Sequence, residues 1–170
     1  IESINFEGNE NISSKKLRKK GFKNTKQKRF FAGILKPSKL IKEKYEEDKH
    51  NLISYYNSLG YRDAKIISDT ITRSDKGFDI KVKLEEGKKY YIGNIEFYGN
   101  TVFSTETLQR LLGYKKGDIY DAVGFNKKVG EDGGKDDDSD LKSLYMNSGY
   151  LFSNITPIEK SVEGDSINLE

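Results

Sequence analysis

The chain has 170 residues, enough for one medium domain or two small ones. Only 34% of it is apolar and its mean hydropathy is −0.78, so no run reaches the ~18 apolar residues of a membrane-spanning helix. Eleven Tyr and nine Phe argue against disorder, the absence of Cys excludes disulfides and thiol catalysis, and a lone His50 excludes a multi-His metal centre within one chain.

The net charge of +3 divides unevenly, +8 over residues 1–88 against −5 over 89–170, and residues 15–44 hold 13 bases and one acid. Beneath that asymmetry lies a repeat. Ile4–Asn5–Phe6–Glu7–Gly8–Asn9 matches Ile95–Glu96–Phe97–Tyr98–Gly99–Asn100 at an offset of 91. Leu52, Tyr56 and Gly60–Tyr61 match Leu141, Tyr145 and Gly149–Tyr150 at 89, and Ile80 and Val82 fall on Ile167 and Leu169 at 87. With Ile12–Ser13 and Leu17 falling on Phe103–Ser104 and Leu108, also at 91, four blocks in constant order predict two homologous domains, 1–88 and 89–170.

In chain order, each copy predicts β-α-α-β-β. The first strand, Ile1–Phe6 or Tyr91–Phe97, alternates apolar and polar residues and ends in Gly-Asn, a pair that tolerates positive φ. Ser13 or Ser104 then caps a short helix, with Ile12/Leu17 or Phe103/Leu108 spaced as a hydrophobic staple. Between the helices of the first copy runs the basic stretch, with Phe22, Phe30–Phe31 and Ile34–Leu35 interleaved. Ile41, Tyr45, Leu52, Tyr56 and Leu59 mark the second helix, closed by Gly60. The second copy carries an acidic stretch over 130–140 at this place, which should break its second helix. The last two strands are expected at about 62–72 and 78–85, then about 151–161 and 165–170, around the hairpin turns Ser74–Gly77 and Glu163–Asp165. Pro157 within the fourth element argues for an edge strand there. The chain opens on strand-like residues without an initiator Met and stops in an alternating pattern, reading as a piece cut within its last strand.

The ordered set of motifs resembles tandem polypeptide-transport-associated (POTRA) domains of BamA-like outer-membrane protein assembly factors. It rests on Ile-x-Phe-x-Gly-Asn opening each copy, on Tyr56–Gly60–Tyr61 and Tyr145–Gly149–Tyr150, and on Glu85–Glu86–Gly87 with Gly117–Asp118–Ile119–Tyr120. The resemblance implies an α+β fold of two β-α-α-β-β modules, each a three-stranded mixed sheet under two helices. It implies a periplasmic position tethered to the outer membrane of a Gram-negative bacterium. It further implies partners: unfolded outer-membrane proteins, accessory lipoproteins and a C-terminal membrane barrel beyond this chain. A related translocation or secretion pore is the alternative within the family.

No catalytic constellation appears, and nothing in the sequence asks for a cofactor or metal. His50 reads as a solvated helix residue. Asp136–Asp140 reads as a solvated acidic loop or a weak divalent-cation site, because an EF-hand counted from Asp136 would need Gly at Leu141 and Glu at Asn147. Three site expectations follow. Strand addition needs an unpaired sheet edge, and the resemblance puts the strand through Ala64, Lys65, Ile66, Ile67, Ser68, Asp69 and Thr70 there, with the final strand central. By simple alternation Ala64, Ile66, Ser68 and Thr70 share one face and Lys65, Ile67, Asp69 and Ile71 the other, and either face is open as the inner one. Ser68→Pro is expected to weaken peptide docking, and Lys49→Ala not to. Lys19, Lys20, Lys23, Lys26, Lys28 and Arg29 form a patch for an acidic partner or membrane surface, or a solvated face over an apolar lid; nucleic acid is disfavoured because the second copy would repel it. Gly87, Tyr90, Tyr91 and Gly93 mark a short junction that should fix the angle between the copies.

Overall fold

The computed structural model describes residues 1–31, 34–36, 39–131 and 139–170, and leaves out the side chains of residues 29–38. It divides into two compact units, Ile1–Asn57 with Asp63–Gly87, and Ser58–Arg62 with Lys88–Glu170. The fold is α+β, with one three-stranded mixed sheet in each unit.

In the first unit, β1 (Ser3–Glu7) alternates so that Ile4 and Phe6 are buried while Asn5 and Glu7 are exposed. It runs parallel to β5 (Gly77–Glu85), in the register Ile4↔Ile80 and Phe6↔Val82. A parallel pair needs a crossover, which here holds α1 (Ser14–Lys20), α2 (Lys42–Asn57) and the antiparallel pair β2 (Arg29–Phe31) and β3 (Ile34–Lys36). The basic stretch was expected as helix face and loop and instead includes that small hairpin. The proposed lid of Phe30–Phe31 and Ile34–Leu35 lies outside the described side chains. β4 (Lys65–Ser74) turns tightly through Asp75–Lys76 into β5 and lies at the sheet edge, in the order β1-β5-β4.

The helices cover the inner face with Leu17, Tyr45, Leu52 and Tyr56, and Phe22 fills the space between, 5.3 Å from Phe6 and 5.9 Å from Tyr45 in edge-on contacts. Phe22 is therefore part of the core. Ile41, expected on the inner stripe of α2, is exposed, because the helix begins one residue later. The inner stripe instead admits Asp48, fully buried, which accepts from the Asn24 and Thr25 backbone N–H groups and so ties the loop after α1 to α2.

The second unit repeats this plan with β6 (Tyr91–Ile95), α3 (Thr105–Leu112), α4 (Ala122–Val129), α5 (Leu141–Asn147), β7 (Glu159–Glu163) and β8 (Ser166–Leu169), in the sheet order β6-β8-β7. Among the described residues three helices stand where two were expected. Gly130, at φ 99°, ends α4, and Asp140 caps α5 by accepting from Ser143 N at 2.8 Å. The acidic stretch thus separates two helices, as its composition suggested; Asp132–Asp138 themselves lie outside the described residues.

The Gly-Asn pairs do the same work in both units. Gly8 and Gly99 take φ of 81° and 72°. Asn9 Nδ2 donates to Ile12 O at 2.8 Å and Asn100 Nδ2 to Phe103 O at 3.1 Å, fixing the entry to α1 and α3. Ser104 caps α3, whereas Ser13 occupies the cap position of α1 without a side-chain hydrogen bond.

Two expectations about strands are corrected. Leu151–Ile158 is not strand: β7 begins only at Glu159, since Pro157 offers no N–H for a ladder, and Leu151 and Phe152 are exposed. The offset at the end of the repeat is 89, not 87. The hairpin pairs Ser74↔Gly77 and Glu163↔Ser166 correspond, and Ile80 therefore falls on Leu169.

Candidate docking edges

The longer edge is β4. Its ten residues are exposed except Ile66, which is half-buried. The alternation expected along it fails at one point, a bulge between Ile66 and Ser68 that leaves Ile67 unpaired with β5. Past the bulge the register puts Asp69 opposite buried Val82 and Ile71 opposite buried Ile80, so Ile66, Asp69 and Ile71 share the helix-facing side. Lys65, Ser68 and Thr70 take the outer side, and Ala64, just before the strand, is buried.

Asp69 on the inner side is held by α2. Tyr45 Oη donates to it at 2.8 Å, and Lys49 Nζ lies 3.5 Å from it and 2.9 Å from Glu46. Burial, and then the hydrogen bond to Asp69, push the Tyr45 hydroxyl pKa well above its ordinary value. For Lys49 burial is the largest single effect and lowers the pKa, but Glu46 and Asp69 together outweigh it and raise it. Lys49 is therefore part of the β4 support, and Lys49→Ala is no neutral control. His50, one residue on, is exposed.

Of the basic patch, Lys19, Lys20, Lys23 and Lys26 are exposed. Lys28 is half-buried, paired with Glu2 and donating to Lys76 O at 3.3 Å, so it belongs to the fold of the first unit. Arg29 opens β2.

The junction residues fall in distinct roles. Gly87 turns the chain at φ 69°, Tyr90 is buried in the core of the second unit, Tyr91 opens β6, and Gly93 is buried where a Cβ would overlap the Asn168 side chain. Sequence reasoning missed what surrounds Tyr90 in that unit. Lys88 Nζ and the Arg62 guanidinium lie 4.9 and 5.7 Å from its ring centroid. Arg62 Nε donates to Glu159 at 3.1 Å, and Tyr120 Oη donates to the same carboxylate at 2.9 Å. Burial first, then Glu159, raises the Tyr120 pKa. Arg62 and Glu159 lie 97 positions apart, so only the fold brings them together.

The edge of the second unit, β7, has five residues, again with a bulge, between Glu159 and Ser161. Beside it a groove of about 340 Å³ opens between Ile95–Asn100 and Ser153–Pro157, with Leu108, Leu141 and Tyr145 among its walls.

Two three-stranded sheets, each with the last strand of its own unit central and crossover helices on one face, define a repeated module. The POTRA family profile, described as "Surface antigen variable number repeat", matches residues 1–87 and again 90–170. The chain belongs to the POTRA family. It is 31% identical over 157 residues to a putative outer membrane protein assembly factor of Treponema pallidum, covering 88% of this chain and 17% of that protein. It is 32% identical over 159 residues to the outer membrane protein assembly factor BamA of Neisseria meningitidis, covering 92% of this chain and 19% of that one. The chain thus spans about a fifth of the length of these relatives. Among solved structures, POTRA domains 3–5 of Haemophilus influenzae BamA superpose with a TM-score of 0.67 at 18% identity, over 99% of this chain and 64% of that one, a likeness of fold. The two POTRA domains here are therefore of the kind found in BamA-type assembly factors.

Proposed function

We propose that residues 1–88 and 89–170 serve as successive periplasmic POTRA domains of an outer-membrane protein assembly factor, and that they bind unfolded outer-membrane proteins by strand addition. The observation that carries this reading is β4, a ten-residue edge strand whose outer ladder is unpaired among the described residues and whose inner side is braced by Tyr45 and Lys49 through Asp69. Main-chain hydrogen bonds along such an edge accept an extended chain with little demand on its sequence, which suits clients that share only strand alternation. The five-residue β7, preceded by Pro157, offers a shorter ladder, so the first domain is the better dock. Docking of accessory subunits falls to the exposed Lys19, Lys20, Lys23 and Lys26, which suit an acidic partner.

The test is photo-crosslinking of an extended peptide from a membrane β-barrel to residues 65–74. Ser68→Pro removes one backbone N–H and should lower crosslinking several-fold in protein that still melts cooperatively. His50→Ala on the exposed side of α2 should leave it unchanged. Equal effects of the two substitutions overturn the reading.

A further inference from the structure

The regular part of β4 lies between two irregularities, the bulge at Ile67 and the tight turn at Asp75–Lys76. Its chemistry is symmetric about Ile71. Thr70 mirrors Thr72, Asp69 mirrors Arg73 with the opposite charge, and Ser68 mirrors Ser74. The register carries that symmetry onto the two sides of the sheet. Asp69, Ile71 and Arg73 stand opposite Val82, Ile80 and Phe78 and so share the helix-facing side. Ser68, Thr70, Thr72 and Ser74 present only hydroxyls on the outer side. Helix α2 reaches the inner row at Asp69 and leaves Ile71 41% exposed and Arg73 exposed. The middle of the row therefore stands clear on the helix side too.

We infer that two molecules of this chain pair through β4, antiparallel and about a twofold axis at Ile71. In that register Ile71 faces its own counterpart, while Asp69 faces Arg73, Thr70 faces Thr72 and Ser68 faces Ser74, each of these twice. Opposite charges and Thr–Thr pairs directly across antiparallel strands are stabilising, and the two exposed Ile71 side chains cover one another. Asp69 is prepared for a second cation. Tyr45 and Lys49 both engage it through Oδ2, and Lys49 is shared with Glu46 at 2.9 Å. Lys49, Glu46 and Asp69 thus sum to one negative charge, which Arg73 of the second molecule offsets. The register is specified as well: moving the axis to Thr70 sets Ile71 against Asp69, and moving it to Thr72 sets Ile71 against Arg73. The other edge lacks this property, because an axis at the centre of β7 would set Glu159 against Glu163. The contact is confined to Ser68–Ser74, so the pairing is transient and favoured at high local concentration. It stands apart from client docking but uses the same edge, so molecules paired in this way are closed to clients.

The chain has no Cys, so a single Ile71→Cys substitution reports this contact. Mild oxidation of the concentrated 170-residue chain should link Ile71→Cys molecules to one another. Thr70→Cys and Thr72→Cys molecules should link when mixed, and each poorly alone. Arg73→Asp, added to Ile71→Cys, sets like charges face to face twice and should slow linking about tenfold. Asp69→Lys, added to Ile71→Cys, should slow it likewise, and mixing these two variants should restore it, because every Asp then meets a cation. Arg73→Asp and the two Thr substitutions alter exposed side chains, so the test survives if Asp69→Lys fails to fold. Linking of Ile71→Cys no faster than that of Ser54→Cys, an exposed position on α2, overturns the inference. So does a rate indifferent to Arg73→Asp, or Thr70→Cys linking to itself as readily as Ile71→Cys, which would mean a parallel stack. A client peptide that crosslinks at 65–74 while Ile71→Cys molecules stay unlinked overturns self-pairing alone; linked molecules that bind no client support it and remove only the client reading.

Discussion

Replacing Glu86 with Ala tests whether the end of β5 is locked by one buried carboxylate. Glu86 accepts from Asn11 N and Nδ2 at 2.8 and 2.7 Å, from Ile12 N at 3.3 Å and from Tyr56 Oη at 2.8 Å. Ile12 and Tyr56 are buried, so truncation strands donors away from water. A hydrogen bond to a charged group contributes about 1.5–3 kcal/mol, and each stranded donor costs a comparable amount. These terms overlap, so the expected loss is about 3–4 kcal/mol rather than their sum. For a domain of this size that lowers the melting midpoint by roughly 15 °C. The chain has no Trp, so the assay is urea unfolding followed by far-ultraviolet circular dichroism. Tyr56→Phe alone should cost about 1 kcal/mol, and the double substitution less than the two singles added. A loss below about 1 kcal/mol for Glu86→Ala would mean that water reaches these donors and that the carboxylate holds nothing.

Asp48→Ala, which strands the Asn24 and Thr25 N–H groups, should destabilise the first domain by about 3 kcal/mol in the same assay, and Asp48→Asn by less. Gly8→Ala should destabilise more than Gly99→Ala in the 170-residue chain, since both carry αL strain of about 1 kcal/mol but only Gly8 meets a carbonyl; thermal melts decide it. Tyr114 is pushed up to about 12, by burial and then by Asp121, from an ordinary value of 10.0. A raised folded-state pKa means that the stability it contributes is full below pH 10 and declines as pH rises towards 12; urea unfolding repeated across that interval should show the decline, and Tyr114→Phe should remove this share of it. Arg62→Lys should weaken the second unit measurably, because Lys cannot reproduce the two-nitrogen approach to Glu159.

The doubled module was legible because its signals are local. Gly-Asn after an alternating strand needs positive φ, Ile12/Leu17 and Phe103/Leu108 carry the spacing of a staple, and Tyr56 and Tyr145 stand at fixed distances from Gly60 and Gly149. The basic patch was legible only as composition. Lys28 is drawn into the fold because Glu2 pairs with it, and nothing in its spacing says so. The inner side of β4 was illegible for a different reason: alternation has a period of two, and a single unpaired residue at Ile67 reverses it for every residue beyond. Asp48 and Glu86 were passed over because a carboxylate in a charged stretch looks solvated until its partners, 23 to 75 positions away, are known.

The sequence by itself determined the repeat, the α+β module, its family and the breaking of the second copy's helix, since each depends on residue order within a few turns of chain. Only the tertiary structure decided the face that β4 turns inward, the clasp of Arg62 and Tyr120 on Glu159, and the groove beyond Leu169. Those depend on pairing between distant segments, where one bulge or one buried carboxylate changes which side chains meet.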